Sequence, residues 1–334
     1  LQLPRVRSLG SLDAGQRRRQ PAVKQTAAIV GIRLGEALLT AFLAFVMVFS
    51  LLHLVPGDPV ELMLGEQARP AQREALRAAL GLDRPLTVQF REQFLGLLQG
   101  DLGTSIHYRK PVSALIAERV GPTLALALAA MAVALLLAVP LGVAAGWRPG
   151  ARIDRAGRIL AVLGISMPNV WLGPLLLLAF ALWWPLFPVG GYTSYSALVL
   201  PALTLGTALA AMLTRMLRAS VAETRDAMFV TAARAKGASE RRLLWRHALR
   251  PALIPVVTIA GLQLGALLSG AIITETIFQW PGLGRLLIEA VQARDYPLVQ
   301  GVVLILTFIY IAVNTGVDLL YVWIDPRARE QAHA

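Results

Sequence analysis

What most constrains this chain is where its charges are missing. No Asp, Glu, Lys or Arg occurs in residues 37–57, 121–147, 159–214, 251–274 or 296–317. An apolar run of roughly 18 or more residues is a transmembrane candidate, because about 20 residues of helix cross the hydrocarbon core. The run 159–214 is too long for one crossing, and Pro185, Pro188, Gly190 and Gly191, followed by Tyr192 to Ser196, divide it in two. The pattern predicts an all-α integral membrane protein with six transmembrane helices, at 34–55, 122–146, 158–184, 197–217, 251–275 and 299–324. Composition agrees: 56% of the 334 residues are hydrophobic, against about 45–50% in an ordinary soluble chain.

The net charge of +12 invites a nucleic-acid reading, but the charges are sorted by segment. If the N-terminus is cytoplasmic, the inner segments 1–36, 147–158, 215–250 and 325–334 hold 22 of the 32 Lys and Arg. Eight of the remaining ten lie in 56–121 beside eight acids. An excess of Lys and Arg marks cytoplasmic loops, so the charge reads as topology: N- and C-termini cytoplasmic, a bacterial inner (plasma) membrane, no nucleic acid. Residues 1–27, with Arg17, Arg18 and Arg19, read as a disordered basic tail, and 327–334 as a second cytoplasmic tail. The first apolar run continues into Val55-Pro56-Gly57-Asp58-Pro59 with no small-residue cleavage site, so it reads as a retained helix rather than a secretory signal.

Several chemistries are disfavoured. Cysteine is absent, and His53, His107, His247 and His333 show no metal-ligand spacing, so neither a disulfide framework nor a bound metal or cofactor is expected in this chain. No Ser/His/Asp set or carboxylate pair suggests catalysis. A phosphate-binding loop needs Gly-x-x-x-x-Gly-Lys-Ser/Thr. The only lysines, Lys24, Lys110 and Lys236, are followed by Gln25, Pro111 and Gly237. Nucleotide hydrolysis, if the function needs it, must come from another chain.

Residues 28–120 combine the first span with an extracytoplasmic helical segment. Pro70 precedes a helix over 71–80 with Gly81 just past its end, and Pro85 precedes another over 86–99 closed by Gly100, the usual punctuation of helix termini. Phe90, Phe94, Leu97 and Leu98 share a face of the second helix. This segment reads as a cap on the outer ends of the spans, or also as a contact for an external delivery protein. Residues 121–326 carry the other five spans. Trp183, Trp184 and Tyr192 suit an interfacial aromatic belt.

Within the third predicted span, Pro168 and Asn169 mark a kink, either a pathway or gate element or an ordinary membrane-helix proline. Glu275, at the outer end of the fifth span, reads as a gate residue or as an interfacial, solvated carboxylate. Asp318 lies inside the sixth span, one turn after Asn314. Buried ionisable residues usually find a partner, and Arg215 or Arg218 at the inner end of the fourth span is a candidate for an intramembrane ion pair.

The richest stretch is 214–255, with nine basic residues between Arg215 and Arg250 and three acids. Phe229-Val230-Thr231-Ala232-Ala233-Arg234-Ala235-Lys236-Gly237-Ala238-Ser239-Glu240 reads as a helix ending at Gly237 and a second capped by Ser239. A basic inner loop is normal, but a helix–Gly–helix exceeds what topology needs. This stretch resembles the cytoplasmic coupling motif of ABC-importer permeases, Glu-Ala-Ala, then three residues, then Gly. It matches at Ala232, Ala233 and Gly237 and departs at Thr231.

The resemblance extends along an ordered series: His53-Leu54-Val55-Pro56-Gly57-Asp58-Pro59, Gly81-Leu82-Asp83-Arg84-Pro85-Leu86, Gln99-Gly100-Asp101-Leu102-Gly103, Leu200-Pro201-Ala202-Leu203-Thr204-Leu205-Gly206, Thr274-Glu275-Thr276-Ile277-Phe278, Trp280-Pro281-Gly282-Leu283-Gly284, Ala293-Arg294-Asp295-Tyr296-Pro297 and Asp325-Pro326-Arg327. These are similar to the first of two permeases in bacterial dipeptide and oligopeptide ABC importers, a cluster that includes nickel and glutathione importers. The resemblance implies a type I ABC-importer permease (MetI-like) fold and coupling helices at 225–247, with Ala232, Ala233, Lys236 and Gly237 facing an ATPase. It implies as partners a second homologous permease, two cytoplasmic ATPases that bind the ATP and Mg, an extracytoplasmic substrate-binding protein and membrane lipid. An ion-coupled secondary carrier is the other class weighed. Such carriers place several acids or broken helices at mid-membrane, and here only Asp318 lies well inside a span.

Overall fold

The computed structural model describes residues 20–54, 60, 69–79, 81–192 and 194–324. Those residues are helical almost throughout. α1 (Gln20–Leu54), α2 (Pro70–Ala79) and α3 (Leu86–Leu98) precede the bundle proper. It is built from α4 (Val112–Trp147), α5 (Arg152–Ser166) and α6 (Asn169–Leu177), which runs on as a wide π turn, Leu178–Trp183. A 3₁₀ turn, Tyr195–Leu198, opens α7 (Val199–Arg225), and the short α8 (Met228–Ala235) follows. Glu240–Arg242 and a π-helical Leu243–Ala248 lead into α9 (Leu249–Ile277), then α10 (Leu283–Gln292) and α11 (Tyr296–Ile324).

Four helices among the described residues are long and apolar enough to cross a membrane, in Val112–Trp147, Tyr195–Arg225, Glu240–Leu268 and Tyr296–Val317. Leu34–Ser50 and Asn169–Trp183 are shorter apolar helices. The helices outrun their uncharged stretches. α4 has 36 residues, about 54 Å at 1.5 Å per residue, against a hydrocarbon core of roughly 30 Å. Pro122, the predicted start of this span, and Pro140 both lie inside it. α1 begins at Gln20, inside the segment read as a tail. The turn at Pro56–Pro59, the Asp325-Pro326-Arg327 motif and the side chains of His53 and Asp318 lie outside the described residues.

The third predicted span is two helices rather than one kinked helix. α5 ends at Ser166 and α6 begins at Asn169, with Pro168 extended at φ −63°, ψ 138°. Proline disfavours helical backbone at the residue before it, here Met167, and the chain breaks there.

α4 and α7 make the most extensive helix pair, and small residues bring them together. A Cβ at Gly146 would stand 2.6 Å from the Arg218 carbonyl oxygen, and one at Gly206 would stand 2.7 Å from that of Ala130. Apolar association in a bilayer relies on such close packing, because lipid tails are as apolar as Leu. The main core joins α4, α7 and α9 through Leu126, Ala130, Ala134, Ala138, Leu213, Leu217, Ala252, Val256 and Ala271. α11 packs on α9 and α1. α3 lies against α1 through aromatic rings: Phe90 and Phe94 sit 5.2 and 5.6 Å from the ring of Phe45. Leu97 shares that side, whereas Leu98 is exposed.

Candidate coupling site and its supports

α7 continues past its apolar stretch, and Arg225 Nη1 donates to the Trp147 carbonyl oxygen at 3.2 Å. This supplies a donor to the C-terminal end of α4, where carbonyls lack intrahelical partners. α8 follows. Val230 is its buried contact, clustered with Leu243 and Ala248 and flanked by Trp147, Ala233 and Ala238. Met228, Phe229, Thr231, Ala232, Ala235 and Lys236 face outward. The helix is thus anchored on one side and bare on the other.

Its C-terminus is set by Gly237. At φ +81° the backbone is left-handed, which glycine adopts without a Cβ penalty. The Gly237 N–H donates to Arg234 O at 3.0 Å and the Ala238 N–H to Ala233 O at 3.2 Å. An exposed ion pair, Arg234 Nε to Glu240 Oε1 at 3.1 Å, spans the bend. Ser239 occupies the next N-cap position in extended backbone but makes no side-chain capping bond, so the predicted hydroxyl cap is absent. The four motif residues divide. Ala232, Lys236 and Gly237 are exposed, while half-buried Ala233 faces the bundle.

The α5–α7 junction is fastened at the same end. Asp154 is 1% exposed. It accepts Arg218 Nε at 2.5 Å, Arg218 Nη2 at 3.1 Å and the Gly150 N–H at 2.9 Å. Arg218 bonding and the Gly150 amide hold its carboxyl down at about 2, against the opposing effect of burial. Arg218, a proposed partner of Asp318, is therefore engaged by Asp154, and Arg215 has no hydrogen-bond or ion-pair partner among the described residues. Sequence reading missed this pair. Its available signal was a single acid among Arg148, Arg152, Arg155 and Arg158. Asn314 sits against Gly265 of α9, where a Cβ would come 3.3 Å from Asn314 Oδ1.

Glu275 belongs to a knot at the opposite end. It is fully buried, which rules out an interfacial, solvated carboxylate. Thr123 Oγ1 donates to Glu275 Oε1 at 2.7 Å, and the Arg285 N–H donates to Oε2 at 3.0 Å. Thr123 Oγ1 also accepts the Leu283 N–H at 2.8 Å. Thr123 and Glu275 together satisfy amides in the first turn of α10, the donors a helix leaves unpaired. Trp280 Nε1 donates to the Pro122 carbonyl oxygen at 2.9 Å. A Cβ on Gly282 would overlap the Glu275 carboxylate, which accounts for glycine in Trp280-Pro281-Gly282-Leu283-Gly284. Beside the knot, buried Asp295 accepts Ser105 Oγ at 2.5 Å and the His107 and Leu298 N–H groups at 3.0 and 3.3 Å. Asn169 has a buried Oδ1 without a partner among the described residues, and Pro168 is exposed.

Long apolar helices packed through small residues define a multi-pass membrane protein. Residues 138–330 match the family described as "Binding-protein-dependent transport system inner membrane component", and residues 28–127 match its N-terminal counterpart. The chain belongs to this family of ABC-importer permeases and is an inner-membrane protein. It is 44% identical over 291 residues to the glutathione transport system permease protein GsiC of Salmonella typhimurium, covering 87% of this chain and 95% of the relative. It is 40% identical over 331 residues to the dipeptide transport system permease protein DppB of Escherichia coli K12, covering 90% and 98%. In fold it is similar to the inward-facing MetNI methionine ABC transporter, with TM-score 0.55, 19% identity, and coverage of 63% of this chain and 96% of that one. An amino acid ABC transporter gives TM-score 0.52 at 16% identity, covering 63% and 94%.

Proposed function

We propose that this permease forms half of a translocation pathway for short peptides, di- or oligopeptides, and is driven through α8 by separate ATPase subunits. The observation that carries the coupling reading is the one-sided seating of α8. Val230 and Ala233 hold it to the bundle, while Ala232 and Lys236 stay bare. A small, uncharged side chain at Ala232 lets a partner's groove approach the helix backbone. The left-handed bend at Gly237 sets where the next helix leaves. Relatives named for dipeptide and for glutathione, itself a peptide, support the substrate class. A nickel-chelate importer is the more distant alternative within the cluster.

In this reading α1, α4, the α5–α6 pair, α7, α9 and α11 are six traverses, with both termini and α8 cytoplasmic. The excess of Lys and Arg at the α8 end supports that orientation. The full assembly holds a second homologous permease, two ATPases binding ATP and Mg, and an external substrate-binding protein. This chain supplies no ATPase site of its own. Membrane passage comes from switching helix packing, with the α8 end pulled by ATPase closure. Because the chain lacks cysteine, a single Lys236→Cys gives an unambiguous label site. An impermeant thiol reagent is expected to leave it unmodified in intact spheroplasts and to modify it in inverted vesicles; labelling from outside refutes the topology. Uptake that survives ATP depletion and collapses with the proton gradient would identify a secondary carrier instead.

A further inference from the structure

We propose that the α8 end of the α4–α5–α7 group holds an anionic phospholipid, its phosphate between Arg158 and Arg215 and one acyl chain in the groove beside them. This rests on the topology above, which places that end at the cytoplasmic leaflet. Arg158 is the last charge before the uncharged run 159–214, and Arg215 is the first after it. The fold returns α7 alongside α5, so these two flanks meet at one cavity of about 260 Å³. Its lining is otherwise Ala145, Gly157, Ala161, Val162, Thr214 and Arg218.

Charge and shape point to the same occupant. Asp154 is the carboxylate that touches this group, bonded to Arg218 at 2.5 Å and 3.7 Å from Arg158. Three guanidiniums against one carboxylate leave two positive charges. Arg158 is half exposed and Arg215 exposed and unpartnered among the described residues. Val162, in the lining, is 63% exposed, and Ile159, one turn away on α5 and 60% exposed, extends the apolar surface beyond the cavity. A soluble anion would answer the arginines and leave that surface uncovered. A neutral chain would cover it and leave the charge unanswered. A diacyl phosphodiester does both, and basic pockets between helices on the cytoplasmic side recruit such headgroups.

The test is lipid retention by the full-length permease in its purified transporter assembly, delipidated and re-equilibrated with dioleoylphosphatidylglycerol or dioleoylphosphatidylcholine, and read by native mass spectrometry. Phosphatidylglycerol is expected to stay bound and phosphatidylcholine to be lost. R158Q/R215Q is expected to reduce phosphatidylglycerol occupancy by about 25-fold, at roughly fivefold per arginine. R158K/R215K is expected to restore it, separating loss of charge from loss of fold. Equal retention of phosphatidylglycerol by the glutamine pair, equal retention of both lipids by the wild type, or displacement of phosphatidylglycerol by a soluble acidic peptide would each overturn the proposal. Labelling at Lys236→Cys reads the orientation separately, so an error there is distinguishable from an error in the lipid site.

Discussion

The carboxylate of Asp154 and the guanidinium of Arg218 meet edge to edge, with Nε and Nη2 at 2.5 and 3.1 Å. They fasten α5 to α7 across 64 residues of chain. Paired donors on a planar fork give direction as well as attraction. Asp154→Asn removes the charge while Arg218 stays partly buried, and it is expected to destabilise the bundle by roughly 1–3 kcal/mol. Thermal unfolding of the purified subunit in detergent measures the loss. An unchanged midpoint contradicts the fastening role.

The same carboxylate sets an acid limit. Its folded-state pKa of about 2 lies below the ordinary aspartate value of 3.8. Its contribution is therefore complete above the unfolded-state pKa and is lost as pH falls through that value towards about 2. Wild-type unfolding midpoints should drop more steeply than those of Asp154→Asn between about pH 4 and pH 2. Parallel curves would remove Asp154 from the account.

Neighbouring alanines in α8 are expected to respond differently to the same substitution. Ala232→Trp places a large ring on the bare face, so the subunit should fold and reach the membrane normally while peptide uptake falls with ATP still hydrolysed. Ala233→Trp forces a ring into the cluster of Val230, Leu243 and Ala248. Overpacking of this kind costs about 1–3 kcal/mol, so its signature is a lowered unfolding midpoint and a lowered yield. Wild-type uptake with Ala232→Trp would refute docking on this face.

At the opposite end, Gly282→Ala pushes a methyl into the Glu275 carboxylate. Glu275→Ala strips the Arg285 amide of its acceptor. Each is expected to destabilise by roughly 1–3 kcal/mol. The pair should cost less than the sum, because the alanine at 275 vacates the space the new methyl needs. Strict additivity in a double-mutant cycle would show that the two sites do not share that volume.

Asp295 ties the 105–108 turn to the start of α11 through Ser105, His107 and Leu298. Asp295→Ala removes an N-terminal cap, expected to cost about 0.5–2 kcal/mol, and it also releases the turn. Faster proteolytic cleavage near Arg109 in purified protein is the expected reading. Unchanged cleavage kinetics would refute the tie.

The sequence made some of this visible and hid the rest for physical reasons. Runs without charge located the apolar helices because lipid imposes a length. The helices run past the predicted spans because helical hydrogen bonding does not stop where apolarity does: the span predicted over 197–217 lies in a helix that continues to Arg225. Pro122 read as the start of a span, yet it lies inside α4, since a membrane helix tolerates a proline where neighbours and local adjustment re-satisfy the freed backbone. Gly237 was legible because a left-handed turn leaves a local signature. Asp154 with Arg218, and Thr123 with Glu275, were not, since each pair is assembled by packing between residues 64 and 152 positions apart.

The interruption at Met167–Pro168 has a mechanical consequence. The α5 half is carried by α7, through Asp154 and through Gly164, where a Cβ would stand 2.9 Å from Ala211. The α6 half also packs on α7, through Leu200 with Leu176 and Leu177, and it adds a seat on α9, with Gly173 against Phe278 and Ile277. A rod split in this way shares one neighbour and gains a second beyond the break, so a pull on the near piece can swing it while the far piece is held back by α9.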